Sequence, residues 1–239
     1  MDTPEGQDNF VKVSIIVPAY NEEATIEESI RGVIDLDLGD LDKEIVVVDD
    51  RSTDRTPAIV RSLGEGIVLI EQTVNRGKGA AIRRALDEIT GDIAVIHDAD
   101  LEYNPADIPA LIAPIVAGDA PASFGTRFAG GARPAGMKFA NYAANRILAI
   151  TASLLFATSL SDEATCYKAV RSDLLRSFDL KCQRFEFCPE VTAKLLRDRH
   201  KIAEVPVQYH ARSVEEGKKI HWYDGLEAIW TLTKYRFTK

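Results

Sequence analysis

The sequence predicts an α/β fold with a mostly parallel central sheet flanked by helices. Three observations carry this. Apolar, β-branched runs alternate with helical periodicity through the first hundred residues. The runs are nearly continuous in hydrophobicity, as strands buried on both faces are. With 239 residues and 46% hydrophobic content, the chain can bury a full core.

The elements follow in order. Val11–Pro18 (VKVSIIVP) reads as the first strand. Glu22–Ile34 reads as a helix, with Ile26, Ile30, Val33 and Ile34 at helical spacing. Glu44–Val48 is a second strand, and Thr56–Leu63 a short helix with Pro57 in its first turn. Ile67–Ile70 is a strand, Lys78–Ile89 a helix, and Ile93–Ile96 the fourth strand. Phe124–Arg127 reads as a short strand ending in a cation, followed by the Gly/Pro-rich loop Ala129–Gly136. Beyond it, Met137–Leu160 is expected helical, Cys166–Val170 a strand, Pro189–Asp198 a helix and Val205–Tyr209 a strand. A basic loop, His210–Lys219, precedes the closing amphipathic helix Trp222–Arg236. No linker separates two domains. One domain over 1–239 is expected, with a binding half at 11–128 and a second half at 129–239.

A formal net charge of −8 argues against a nucleic-acid partner held by phosphate attraction. Cys166, Cys182 and Cys188 lack Cys-x-x-Cys spacing. They fit a reducing, cytoplasmic setting and read as small buried hydrophobes. The start, MDTPEGQDNF, lacks the basic and apolar regions of a signal peptide. The longest apolar stretch, Ile147–Leu160, is too short to span a bilayer, which takes about 20 residues.

Parallel sheets bind ligands beyond the carboxyl ends of their strands, and this chain places polar clusters there. Strand one runs into Pro18-Ala19-Tyr20-Asn21-Glu22, and strand two into Asp49-Asp50-Arg51-Ser52. The third helix is preceded by Asn75-Arg76-Gly77-Lys78-Gly79. Strand four ends in Asp98-Ala99-Asp100. One composite site is the simplest account. Two carboxylates so close are costly unless a cation lies between them, and Mg²⁺ is commonly held by one or two carboxylates plus substrate phosphate oxygens. A strand-end turn is the plain alternative. The Asn75–Gly79 turn offers close backbone approach and helix-start N–H groups to an anion, or is a solvated loop. It has neither Walker spacing nor a Gly-x-Gly-x-x-Gly fingerprint. Asp49 and Asp50 either accept bonds from a nucleobase or ribose or belong to a capped turn, in which Asp50, Ser52 and Thr53 are candidate caps. His97 reads as a satisfied structural residue.

Five segments carry a resemblance: VSIIVPAYNEE, IVVVDDRSTDRT, NRGKGAAIRRAL, GDIAVIHDADLEYNP and FGTRF. Together they resemble the inverting family 2 glycosyltransferases of GT-A fold. Within that family, SDEATCYKAVR, FEFCPEVTAKLL and EVPVQYHARSVEEGKKIHWYDG look most like dolichyl- or polyprenyl-phosphate hexosyltransferases. The resemblance implies a Rossmann-like GT-A sheet and roles residue by residue. Pro18, Ala19, Tyr20 and Glu22 would line a nucleoside pocket, and Asp49 or Asp50 would contact the base. Lys78, Ala99, Arg127 and Lys218 would lie near the substrates. Asp98 and Asp100 would form the metal site, with Asp98 facing ribose or sugar and Asp100 the metal, and Glu102 is a further candidate ligand. Asp162 would be the acceptor-side carboxylate, and Arg212 would stabilise the departing diphosphate.

The implied activity is metal-dependent, inverting transfer of a hexose from a UDP-glucose- or GDP-mannose-type donor to a polyprenyl or dolichyl phosphate. Mg²⁺ or Mn²⁺ is the implied cofactor. A hydroxyl on a glycolipid, polysaccharide or protein is the alternative acceptor, and a non-catalytic sugar-nucleotide-binding module is a third reading. A lipid acceptor would require peripheral contact with the inner face of the membrane. Ile147–Leu160 and the closing helix are the candidates for it. Oligomeric state is not legible.

Overall fold

The computed structural model describes residues 12–212 and 222–238. Among them the chain forms strands β1 (Lys12–Ala19), β2 (Asp42–Asp49), β3 (Ile67–Glu71), β4 (Ile93–Ile96), β5 (Ala122–Thr126), β6 (Lys168–Arg171) and β7 (Ile202–Pro206). The helices are α1 (Ile26–Ile34), α2 (Thr56–Ser62), α3 (Lys78–Leu86), α4 (Ile108–Val116), α5 (Phe139–Phe156), α6 (Ser172–Ser177), α7 (Phe187–Arg197) and α8 (Trp222–Phe237). One sheet orders the strands β3-β2-β1-β4-β6-β5-β7. β6 is antiparallel to β4 and β5, and the other pairings are parallel.

Strand alternation builds a core on each face. Val13, Ile15 and Val17 of β1 pack with Ile26, Ile30 and Val33 of α1 and Ile108, Leu111 and Ile115 of α4. Ile16, with Val46 and Val48 of β2, turns to the opposite face. There it meets Ala81, Ile82 and Ala85 of α3, and α7 and α8 complete that layer. Both faces of β1 are therefore sealed, which is why its sequence reads as a continuous apolar run.

Several boundaries move. α1 begins at Ile26 rather than Glu22, because residues 22–25 form a turn after Asn21, whose φ is +51°. β7 occupies Ile202–Pro206 rather than Val205–Tyr209. It pairs with β5 from Ala122↔Ile202 to Thr126↔Pro206, and its partner ends there. β6 starts at Lys168 rather than Cys166, opposite the last residue of β4. α5 stops at Phe156, where Ala157 turns left-handed and Ser153 Oγ accepts the Leu160 N–H. α4 and α6 are absent from the sequence reading. Pro109 near the start of α4 and Pro114 inside it obscured its apolar stripe.

This topology positions the site. β1 leads through α1 to β2 on one side, while β4 lies on the other side of β1. The strand order reverses between β1 and β4, so a crevice opens beyond their carboxyl ends.

Candidate active site

A cleft of about 320 Å³ lies at this reversal point. Its lining brings together Pro18, Ala19, Tyr20 and Glu22 after β1, Asp50 after β2, and Asn75, Gly77 and Lys78 at the start of α3. Asp98, Ala99, Asp100 and Glu102 follow from β4, and Arg212 from the loop after β7. Asp49, Arg127 and Asp162 stand outside the lining. Lys218 lies outside the described residues.

Hydrogen bonds fix the cleft walls. The Asn21 N–H donates to Ser52 Oγ at 2.9 Å, and the Glu22 N–H to Thr56 Oγ1 at 2.8 Å. Ser52 thus braces the 20–22 turn and does not cap α2. Thr53 likewise turns to Asn21, donating its N–H to Asn21 Oδ1 at 2.8 Å. Asp50 accepts the Arg76 N–H at 2.8 Å and the Gly77 N–H at 2.6 Å. It therefore shapes the loop before α3, and burial raises its carboxyl above the usual range. Asp49 is buried. One of its oxygens accepts the Ser52 N–H at 3.0 Å, and the other has no hydrogen-bond partner.

In the Asn75–Gly79 turn, read from the sequence as an anion cradle or a solvated loop, the Arg76, Gly77 and Gly79 N–H groups already have partners within the protein. Gly79 donates to Arg184 O and Ala80 to Gln183 O, both at 2.9 Å. Arg76 and Gly77 are taken by Asp50. The glycines instead admit the 182–184 segment. A Cβ on Gly77 would lie 2.6 Å from Gln183 O, and one on Gly79 2.9 Å from Arg184 O. The same packing brings Arg184 and Phe185 into the cleft lining beside Cys166. Sequence reasoning missed these three. The available signal was Glu186, which accepts the Gln183 and Arg184 N–H groups and fixes the bend before α7.

The charged centre is built from β4 and α3. Lys78 Nζ lies 2.6 Å from Asp98 Oδ1 and 2.8 Å from Asp98 Oδ2. Burial pushes the Asp98 carboxyl up, but the ammonium outweighs it and holds it below the usual range. Burial, then the charges of Asp98 and Glu102, push Asp100 up to about 7. Arg212 Nη1 stands 3.6 Å from Asp100 Oδ2 and 3.6 Å from Glu22 Oε2. Glu102 accepts the Arg212 N–H and the Tyr209 O–H, both at 3.1 Å. Both its oxygens thus hold the loop after β7. His97 is buried between Ser29 Oγ at 3.0 Å and Tyr167 Oη at 2.9 Å, and burial lowers its pKa to about 4. It is a satisfied core residue.

Arg127 and Asp162 pair behind the wall. Arg127 Nε and Nη2 each donate to Asp162 at 2.7 Å, and its backbone N–H adds a third bond. The guanidinium also covers the Tyr209 ring at 5.1 Å, so the pair connects through Tyr209 to Glu102.

The donor set suits a hard cation. Five carboxylates (Glu22, Asp50, Asp98, Asp100, Glu102) face three cations (Lys78, Arg184, Arg212) in the lining. Among the described residues no three His, Cys, Asp or Glu side chains gather into a closed metal cage. An open two-carboxylate set fits Mg²⁺ or Mn²⁺ completed by substrate oxygens and not a structural ion.

The reversed sheet with Asp98-Ala99-Asp100 at its switch defines a GT-A-fold protein. The chain belongs to glycosyl transferase family 2, whose family model matches residues 14–178. It is 31% identical to a dolichol-phosphate mannosyltransferase of Pyrococcus furiosus, over 94% of this chain and 64% of that protein. It is 29% identical to an undecaprenyl-phosphate 4-deoxy-4-formamido-L-arabinose transferase of Edwardsiella ictaluri, over 86% of this chain and 62% of the relative. The chain thus spans less than two thirds of these curated relatives. A Mycobacterium tuberculosis glucosyl-3-phosphoglycerate synthase, solved with Mn²⁺, UDP and phosphoglyceric acid, shares the fold. Its TM-score is 0.71 at 23% identity, covering 96% of this chain and 80% of that one.

Proposed function

We propose that the chain transfers a hexose, with inversion, from a nucleoside-diphosphate sugar of UDP-glucose or GDP-mannose type to a polyprenyl phosphate at a membrane surface. The carrying observation is the convergence of Asp98, Asp100, Lys78 and Arg212 in one cleft at the sheet's switch point. A nucleoside would rest on Pro18–Tyr20 and Asp50. Asp98 and Asp100 would hold Mg²⁺ or Mn²⁺, which when bound supplies charge neutralisation for the donor diphosphate. Arg212 and Lys78 add fixed positive charge where negative charge accumulates on the leaving group. The acceptor oxygen attacks the anomeric carbon from the face opposite the diphosphate. The new C–O bond forms as the bond to the diphosphate breaks.

A phosphate acceptor needs no proton removed. That agrees with Asp162, whose two carboxylate oxygens are both committed to Arg127. In this reading Asp162 orients Arg127 rather than serving as a base. The names of the two curated relatives, each a transferase to or from a polyprenyl-type phosphate, support the same acceptor class. Among the described residues no helix is long and apolar enough to cross a membrane. Peripheral contact through α5 and α8 is the corresponding expectation.

The test is a transfer screen. It pairs UDP- and GDP-sugars with Mg²⁺ or Mn²⁺, with and without a short-chain polyprenyl phosphate. The expected product is a polyprenyl-phosphate hexose, abolished by excess chelator. Transfer only to hydroxyl acceptors, or full turnover in chelator, overturns the proposal.

A further inference from the structure

The loop after β7 is pinned residue by residue, and one of its side chains joins two charged groups that lie on different elements. The Val207 N–H donates to Thr126 O at 3.1 Å, and the Gln208 N–H to Asp107 Oδ2 at 2.7 Å. Tyr209 pairs with Tyr103 in an antiparallel bridge, their ring centroids 5.5 Å apart. Glu102 holds the rest. Its carbonyl accepts the His210 N–H at 2.8 Å, its Oε1 the Arg212 N–H and its Oε2 the Tyr209 O–H, both at 3.1 Å. The Glu102 N–H in turn donates to Asp100 Oδ1 at 3.1 Å. Arg127, held by Asp162, lies over the Tyr209 ring at 5.1 Å and over the Phe128 ring at 5.4 Å.

On the hexosyl-transfer reading of the cleft, we propose that Tyr209 is a positioning residue for the transfer. Its hydroxyl fixes the Glu102 carboxylate that sets Arg212 over the donor site, and its ring carries the Arg127 guanidinium. A carboxylate held at one oxygen can pivot about that bond, and the Tyr209 O–H supplies the second hold. With both oxygens engaged, Glu102 anchors the backbone that carries Arg212, whose Nη1 stands 3.6 Å from both Asp100 Oδ2 and Glu22 Oε2. Placement decides the effect of such a charge, since a displacement of about 1 Å can cost about 10²-fold in rate.

The two parts of the side chain act separately. Packing against Tyr103 alone would be met by a phenylalanine, which has no hydroxyl to direct at a carboxylate. A ring under a guanidinium holds it without neutralising its charge, and leaves the N–H edge to anions. Asp162 grips the Nε and Nη2 edge of Arg127, and the Tyr209 ring meets its face. One residue thereby ties the Arg127–Asp162 pair to the loop that carries Arg212.

The test is steady-state kinetics of Tyr209→Phe, Tyr209→Leu, Glu102→Ala and the Tyr209→Phe/Glu102→Ala double variant. Donor and acceptor are varied separately, on whichever acceptor the parent uses, and thermal melts check each fold. Tyr209→Phe is expected to keep Tm and both KM values and to lose about tenfold in kcat, the scale of one hydrogen bond to a charged group. The loss falls on kcat because Arg212 acts on charge that develops in the transition state. Tyr209→Leu is expected to add a rise in acceptor KM of about two- to fivefold, as Arg127 loses a ring. On the Glu102→Ala background, Tyr209→Phe should cost nothing further, because the hydroxyl acts through that carboxylate. Parental kcat in Tyr209→Phe, a fall in Tm with kcat unmoved, or a Tyr209→Phe loss that persists without Glu102 each overturn the positioning role. An acceptor KM unmoved in folded Tyr209→Leu overturns the part given to the ring. Should Tyr209→Leu fail to fold, Tyr209→Phe and its cycle with Glu102 decide alone. A folded parent that transfers to no acceptor overturns the reading of the cleft, and the role of Tyr209 with it.

Discussion

Asp162 is fully buried and receives three hydrogen bonds from Arg127. Removing its charge leaves a buried guanidinium without a counter-ion, a loss of about 3–5 kcal/mol. Asp162→Asn is therefore expected to lower Tm and, with a phosphate acceptor, to spread a modest kinetic loss over kcat and KM. Arg212→Ala, at the cleft, is expected to cost more activity and less stability. Steady-state kinetics and thermal melts of both variants check this. An Asp162→Asn loss of about 10²–10⁴-fold confined to kcat and rescued by raising pH would mark a general base instead. Glu163, next in sequence, is buried with neither carboxyl oxygen hydrogen-bonded, and burial pushes it from 4.5 up to about 7. A raised folded pKa means the neutral acid is tolerated below the unfolded value, and stability is lost as pH rises from 4.5 through about 7. Glu163→Gln should thus stabilise the fold by up to about 3 kcal/mol at pH 8 and by little at pH 4.5. Equal shifts in urea midpoint at both pH values would refute the argument. Asp98 and Asp100 were legible because a carboxylate pair closing an apolar strand is a local pattern. Lys78–Asp98 and Arg127–Asp162 were not legible as pairs, because their members lie 20 and 35 residues apart and meet only through the fold.

The start of α3 is the element on which the cleft turns. Its helix N-terminus donates to carbonyls of the 182–184 segment, so two stretches a hundred residues apart share one wall. Gly77 permits this with φ +94° and no side chain against Gln183 O. Gly77→Ala is expected to cost more than Gly118→Ala. Gly118 also has positive φ, +74°, but its added Cβ would meet nothing within 4 Å. The control should lose about 1–2 kcal/mol from backbone strain alone, and Gly77→Ala should lose more and weaken nucleotide binding as well. Urea unfolding of both variants decides; equal losses would assign Gly77 a conformational role only. The elements of the first hundred residues were read well because two-sided burial gives β1, β2 and β4 a continuous apolar signature. Later elements slipped because tertiary partners set their ends. β7 stops where β5 stops, and α5 where Ser153 captures Leu160.

Across the whole molecule, the apolar surface is unevenly distributed. Ile147, Ile150 and Leu154 form an exposed stripe on α5, at spacings of three and four residues. Leu226, Trp230 and Phe237 are exposed on α8 at spacings of four and seven residues. The two helices pack together, and Arg236 Nε ties them through Leu155 O at 2.7 Å. Large exposed side chains gathered on adjoining helices mark an interaction surface more than scattered ones do. Lys234 and Arg236 adjoin the stripe on α8, while the chain as a whole carries −8. In the proposed membrane contact, insertion of apolar side chains would therefore supply most of the binding, with local cations contributing at the headgroups. The chain is expected to float with anionic vesicles reversibly, and more strongly when they contain polyprenyl phosphate. Trp230 fluorescence should shift to the blue on binding, and Trp230→Ser combined with Leu154→Ser should abolish flotation without lowering UDP affinity in solution. Vesicles that recover no protein even with polyprenyl phosphate present would remove the membrane surface from the proposal and move the acceptor toward a soluble hydroxyl compound.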